Sequence, residues 1–198
     1  MLHTCAVGLT KVLYRHCHLP ARCEAVYIYG AELLFSTALA AFSILLISFL
    51  AGRPFSGILF ILIFVSLRIF VGGYHASTYR NCFLLTNGVF LAALAASAML
   101  DRLEVPILTL GLIPSIAIVW MLAPVRNPHH PLSKEAYEKN KSVGRVLVCI
   151  ESIVSVVADF FINQMGISIL PIASASIAAV AVMMIISKIS ERRGTCLG

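Results

Sequence analysis

The sequence predicts an all-helical integral membrane protein, with six transmembrane helices preceded by an amphipathic segment on the cytoplasmic side. Three observations carry this reading. The 198 residues are 60% hydrophobic and only 12% charged, about half the charge fraction of an ordinary soluble domain, and the mean hydropathy is +0.94. Six apolar stretches approach the roughly 20 residues a helix needs to cross about 30 Å of hydrocarbon. The basic residues also fall almost entirely on one side of those stretches. Residues 1–198 therefore read as a single membrane domain.

Residues 1–30 form the leader. Leu9, Val12 and Leu13 lie beside Lys11, Arg15 and Arg22, with a break at Pro20. That mixture suits a helix lying on the inner membrane surface; a partly disordered leader is the alternative. Tyr27 and Tyr29 then stand at the interface before the first span. The leader lacks the short apolar core and small-residue cleavage site of a signal peptide.

The predicted spans are 31–51, 55–71, 83–100, 105–123, 146–162 and 167–187. The second and fifth are short and carry Arg68, Glu151 and Asp159. Backbone groups in lipid must be satisfied within the segment, so each span is a helix rather than a strand. The third contains "AALAASA" and the sixth "ASASIAAVA", small-residue runs that permit close helix approach.

Orientation follows from Lys and Arg. With a cytoplasmic N-terminus and six crossings, the inside holds Lys11, Arg15, Arg22, Arg68, Arg80, Arg126, Lys134, Lys139, Lys141, Arg145, Lys188, Arg192 and Arg193. Only Arg53 and Arg102 are outside, and these two groups make up all 15 basic residues. Both termini are then cytoplasmic. This placement accounts for the net charge of +6 without nucleic acid, whose binders carry clustered basic patches interleaved with aromatics. The six cysteines lack disulfide-framework spacing and read as free thiols.

Chemistry concentrates in "RIFVGGYHASTYRNC", residues 68–82, the cytoplasmic turn between spans two and three. On one continuous helix His75 and Cys82 would be about 10 Å apart along the axis, too far for a hydrogen bond of roughly 3 Å. The chain must bend for them to meet. Gly72 and Gly73 can end the second helix. Asn81 is a suitable N-cap for the third, which puts Cys82 in its first turn. There the helix dipole and a nearby imidazolium favour a thiolate, beside a histidine able to protonate a leaving amine. The ordinary readings stand next to these: a loop His and Cys without catalytic duty, a Gly pair serving helix packing, and an Arg68 that snorkels to the headgroups.

Arg68, Gly73, His75 and Cys82, at offsets of five, two and seven, resemble the signature of the accessory gene regulator B (AgrB) family. A second motif, "APVRNPHHPL" at 123–132, is similar to another family pattern, and the likeness extends over the whole chain. The resemblance implies a bacterial plasma-membrane cysteine endopeptidase that processes the precursor of a cyclic autoinducing peptide. Cys82 would be the nucleophile and His75 the acid–base partner, with Arg68, Gly72, Gly73 and Asn81 in support. An AgrD-like precursor peptide is the implied partner, a homodimer the implied assembly, and no cofactor is expected.

Other features compete. "HCHLPARC" (His16, Cys17, His18, Cys23) has metal-ligand residue types without standard ligand spacing. His129 and His130 lie in a Pro-rich turn. Glu151 and Asp159, about 80° apart around span five, could pair with Arg68 or a loop Lys, line a polar cavity, or reach water at the span ends. They motivate the rival reading, a small transporter or peptide exporter. Against it stand the absence of a nucleotide-binding loop and of repeated halves. A non-catalytic membrane scaffold is the third possibility.

Overall fold

The computed structural model describes residues 2–16, 24–72, 78–100, 105–125, 133–163 and 168–192. Among them are seven helices and no strand: α1 (Leu2–His16), α2 (Glu24–Leu50), α3 (Pro54–Val71), α4 (Tyr79–Leu100), α5 (Val105–Leu122), α6 (Lys134–Ile162) and α7 (Leu170–Arg192). Four are long and apolar enough to cross a membrane by length and composition: α2, α3, α4 and the Leu170–Ile189 part of α7. Six crossings were expected. The described apolar stretch of α5, Leu112–Leu122, is shorter than the other four, and the apolar half of α6 carries Glu151 and Asp159.

The distribution of side chains is that of a protein dissolved in hydrocarbon. Phe42, Phe49, Leu62, Ile69, Met121, Phe160 and Phe161 all face outward, whereas Ser36, Ser48, Asn87, Ser97, Ser152, Ser155, Asp159 and Ser176 are buried. Lipid chains are as apolar as leucine, so burying leucine between helices gains little there. Small and polar residues fill the interfaces instead, since they allow close contact and interhelical hydrogen bonds.

The α2–α3 hairpin shows this packing. α2 buries Ala31, Ser36, Ala40, Ile44 and Ser48 on one face. Ser48 Oγ accepts the Gly57 N–H at 2.9 Å and donates to the Arg53 carbonyl, while Pro54 stands at the start of α3, where its missing N–H costs nothing. α3 then buries Phe60, Ile63, Phe64, Leu67 and Val71 at helical spacing. Phe60 stacks on Phe64 at 4.9 Å and meets Phe90 of α4 at 5.0 Å. Ser43 Oγ of α2 donates to Asn87 Oδ1 of α4 at 2.7 Å.

α7 is the most enclosed of the four long apolar helices. It packs against α3, α4, α5 and α6, and its Ala173, Ala175, Ser176, Ile177, Val180 and Ala181 are buried. The "ASASIAAVA" run is thus a packing seam, as its small residues predict. In the "AALAASA" run of α4 only Ala93 and Ser97 are buried.

Two of the boundaries that differ from expectation have local reasons, and the leader is helical as expected. α2 begins at Glu24, seven residues before the expected Ala31, because helical propensity continues beyond the apolar region. α6 begins at Lys134, so most of the expected basic loop before Val146 is helical: Ser133 caps it, accepting the Ala136 N–H at 3.2 Å, and the Lys, Glu and Ala that follow are good helix formers. The leader forms a helix that packs on α2, burying Ala6 and Thr10 with Tyr14 edge-on to Tyr27 at 6.0 Å.

Candidate functional site

Gly72 ends α3 because it alone suits the conformation found there. Its φ of 74° and ψ of −154° lie in a region that side chains avoid, and its N–H closes on the Arg68 carbonyl at 3.0 Å. A Cβ at this position would meet the Val125 carbonyl oxygen at 2.9 Å. The close approach is made firm by the Val125 N–H, which donates to the Val71 carbonyl at 2.9 Å. The "RIFVG" end of α3 and the "APV" that follows α5 are therefore physically joined. α6 completes the junction: a Cβ on Gly144 would meet Val71 Cγ1 at 2.7 Å, and Arg145 donates from Nε and Nη2 to the Trp120 carbonyl of α5 at 3.1 and 2.7 Å. Gly72→Ala is expected to destabilise the junction by about 1–3 kcal/mol through backbone strain, with the Val125 contact adding to it. Thermal unfolding in detergent, compared with wild type, measures the loss.

Two chemistry-bearing side chains lie at this end of the bundle. Arg68, half-buried in the last turn of α3, has its guanidinium 5.4 Å from the Phe64 ring centroid and within electrostatic range of Cys82. Cys82 is a half-buried free thiol. It is one turn into α4, its N–H donating to the Thr78 carbonyl at 2.9 Å. Asn81 is not the N-cap. Thr78 is: α4 begins at Tyr79, and Thr78 Oγ1 accepts the Asn81 N–H at 3.2 Å. Both residues are capping types, and the one that comes first where the helical turn closes takes the role. Asn81 is left exposed. Gly73 and His75, the remaining residues of the first motif, lie outside the described residues, as do His129, His130, Cys17, His18 and Cys23. The side chain of His16 lies outside them too.

A model of accessory gene regulator B matches residues 7–188, nearly the whole chain. The chain belongs to the AgrB family. Membership places it in the processing of quorum-sensing peptides and associates it with an AgrD-type precursor peptide. No curated protein and no solved structure matches it.

In this AgrB-family chain the carboxyl groups of Glu151 and Asp159, in the apolar half of α6, each have one oxygen partnered. Glu151 Oε1 accepts the Ser66 hydroxyl at 2.6 Å, which links α6 to α3 two residues before Arg68. Asp159, 1% exposed, caps α7: its Oδ1 accepts the N–H groups of Ile169 and Leu170 at 2.7 and 2.9 Å, and the Ser168 hydroxyl at 3.1 Å. It stands about 22 Å along α6 from Gly144, at 1.5 Å per residue, and so far from the α3–α4 end.

Sequence reasoning missed Glu32. Its Oε1 is 2.6 Å from His3 Nδ1 of the leader helix. The signal was present: Glu32 is the one acidic residue within the predicted 31–51 span.

Proposed function

We propose that this protein is a membrane-embedded cysteine endopeptidase that cleaves the C-terminal tail from an AgrD-type precursor and promotes its cyclisation. The observation that carries the proposal is the position of Cys82, a free, half-buried thiol one turn into α4 with Arg68 in electrostatic range, at the end where the two motif segments meet. Cys82 Sγ attacks the scissile carbonyl carbon, the C–N bond breaks, and the departing amine takes a proton from His75. The product is a thioester on Cys82. An internal thiol or hydroxyl of the precursor then attacks that thioester, closes a thiolactone or lactone, and returns the Cys82 thiol. Thiol-to-thioester exchange conserves the activated bond, so the thiolactone route needs no ATP, provided the bilayer keeps water from the intermediate. Arg68 suits a precursor whose tail is acidic.

The proposed arrangement is one membrane domain of six spans, formed by α2 to α5, the apolar half of α6 and α7. Both termini and the active site face the cytoplasm, and the assembly is a homodimer in the lipid bilayer. The one-sided division of the basic residues supports this orientation. The partners found for Glu151 and Asp159 supply ordinary reasons for both acidic groups, which weakens the transporter or exporter reading that rested on them. The test is mass spectrometry of the protein in membranes with its precursor peptide. Release of the C-terminal tail and a hydroxylamine-sensitive adduct on Cys82 are the expected results. An intact precursor with folded protein would overturn the proposal.

A further inference from the structure

The last turn of α5 leaves a carbonyl group that its own helix does not satisfy. The Val119 carbonyl accepts the Ala123 N–H at 2.9 Å. The Trp120 carbonyl would next accept from residue 124, but that residue is Pro124, which has no N–H. Arg145 of α6 takes its place, donating to the Trp120 carbonyl from Nε at 3.1 Å and from Nη2 at 2.7 Å. Its guanidinium also lies 5.1 Å from the centroid of the Trp120 ring. The positive charge is thus fixed in position, with only part of its planar fork of donors used.

Arg145 and Trp120 help to line a cleft of about 320 Å³ between α5 and α6, together with Glu138, Lys141, Ser142 and Val146. Glu138, Lys141, Ser142 and Arg145 follow at helical spacing and share one stripe of α6. The stripe then changes character within a turn. Val146, Ile150, Ile153 and Val157 are exposed and apolar, as Trp120 and Met121 are at the end of α5. On helices that enter hydrocarbon, such a change marks the headgroup level, where Trp and basic residues gather. The end of α3 lies at the same level, because Val71 meets both Val125 and Gly144.

The chemistry of the cleft selects its occupant. A guanidinium, an ammonium group and a hydroxyl are the donors that a phosphodiester takes, and Trp120 and Val146 give an apolar wall for the start of an acyl chain. Lys141 is not committed elsewhere: its Nζ is 3.6 Å from Glu138 Oε2, and the Glu138 side chain is 68% exposed, so this is a surface pair of little strength. Two basic groups against one acidic group leave the cleft positive, which matches a headgroup with a single negative charge, and the Glu138 carboxylate accepts from headgroup hydroxyls. An acidic peptide tail would meet the charge but would not use the bilayer-facing apolar wall. We propose that the α5–α6 cleft binds the headgroup of an anionic phospholipid of the phosphatidylglycerol type, with Arg145 as the fixed contact and Lys141 as the adjustable one. The site stands whether or not Cys82 is the nucleophile.

The test uses the delipidated full chain in detergent. The probes are phosphatidylglycerol and phosphatidylcholine with identical acyl chains, titrated and followed by native mass spectrometry. Wild type is compared with Lys141→Gln and with Lys139→Gln, which removes the same charge from an exposed position of α6 outside the cleft. Wild type is expected to bind one phosphatidylglycerol at least about tenfold more tightly than phosphatidylcholine. Lys141→Gln is expected to weaken that binding about fivefold, the effect of one basic group at a membrane surface, with Lys139→Gln within about twofold of wild type. Arg145 also braces α5, so its substitution could disturb the fold; the half-exposed Lys141 carries the test instead. Equal affinity for the two lipids overturns the proposal, because the cleft then selects no headgroup. Equal losses in Lys141→Gln and Lys139→Gln overturn it too, since diffuse surface charge would then suffice. If Lys141→Gln binds lipid like wild type but raises KM for tail release from an AgrD-type precursor, the cleft belongs to the acidic tail of the peptide and the proposal fails.

Discussion

Cys82→Ala is expected to abolish tail release and the hydroxylamine-sensitive adduct together. Removing the nucleophile of a covalent mechanism costs roughly 10⁴–10⁶ in kcat, and what remains comes from binding and electrostatic stabilisation alone. The effect is large because the thioester is both the cleavage intermediate and the activated donor for ring closure, so one substitution stops both steps. His75→Ala removes the group proposed to protonate the leaving amine, and a smaller loss of about 10²–10⁴ is expected. The order of the two losses is informative: a loss greater for His75 than for Cys82 would place the chemistry on another nucleophile. Full activity in Cys82→Ala would return the protein to the transporter or scaffold reading. Mass spectrometry of the precursor separates these cases, with melting in detergent as the check that each variant folds.

Asp159→Ala is expected to produce the largest loss of stability of any single substitution considered, about 3 kcal/mol. The alanine removes an acceptor used by three donors, two of them backbone N–H groups at the start of α7. Each buried donor left unsatisfied costs about 1–3 kcal/mol, and Asp159 is enclosed, with 1% exposure. α7 is the helix that the bundle is built around, so fraying its first turn loosens contacts with several neighbours at once. Asp159→Asn keeps an acceptor oxygen at the same place and is expected to cost about 1 kcal/mol, in the range of a capping change. Equal destabilisation by Asn and Ala would show that the negative charge, rather than the acceptor, holds α7. If both variants melted like wild type but lost precursor processing, Asp159 would belong to function.

The end of α3 was readable because it is a local matter. A Gly pair after an apolar helical run marks a stop wherever it occurs, and Gly72 makes that stop with φ of 74°. Its further role, admitting the Val125 carbonyl, was not readable, since Val125 is more than fifty residues away in sequence. The cap of α4 lay between these cases: Thr78 and Asn81 both suit the role, and the choice turned on which turn closed first. Cys82 and Arg68 were singled out by residue type and spacing, and their mutual electrostatic reach came from the fold bringing the end of α3 near the start of α4. Asp159 was legible as a costly carboxyl group in a span, but its duty was not, because its partners belong to the next helix.

By itself, the sequence determined that this chain is helical, that its apolar segments belong in a membrane, where α3 stops, and which family it belongs to. These are properties of composition, period and motif, each expressed within about 20 neighbouring residues. The tertiary structure alone decided that α7 is central, that the two motif segments touch at Val71 and Val125, and that Glu32 meets His3 of the leader helix. Lipid rewards every apolar face equally, so hydrophobic pattern does not specify which helices become neighbours. That choice falls to small residues and scattered hydrogen-bonding groups, whose partners are named only when the bundle closes.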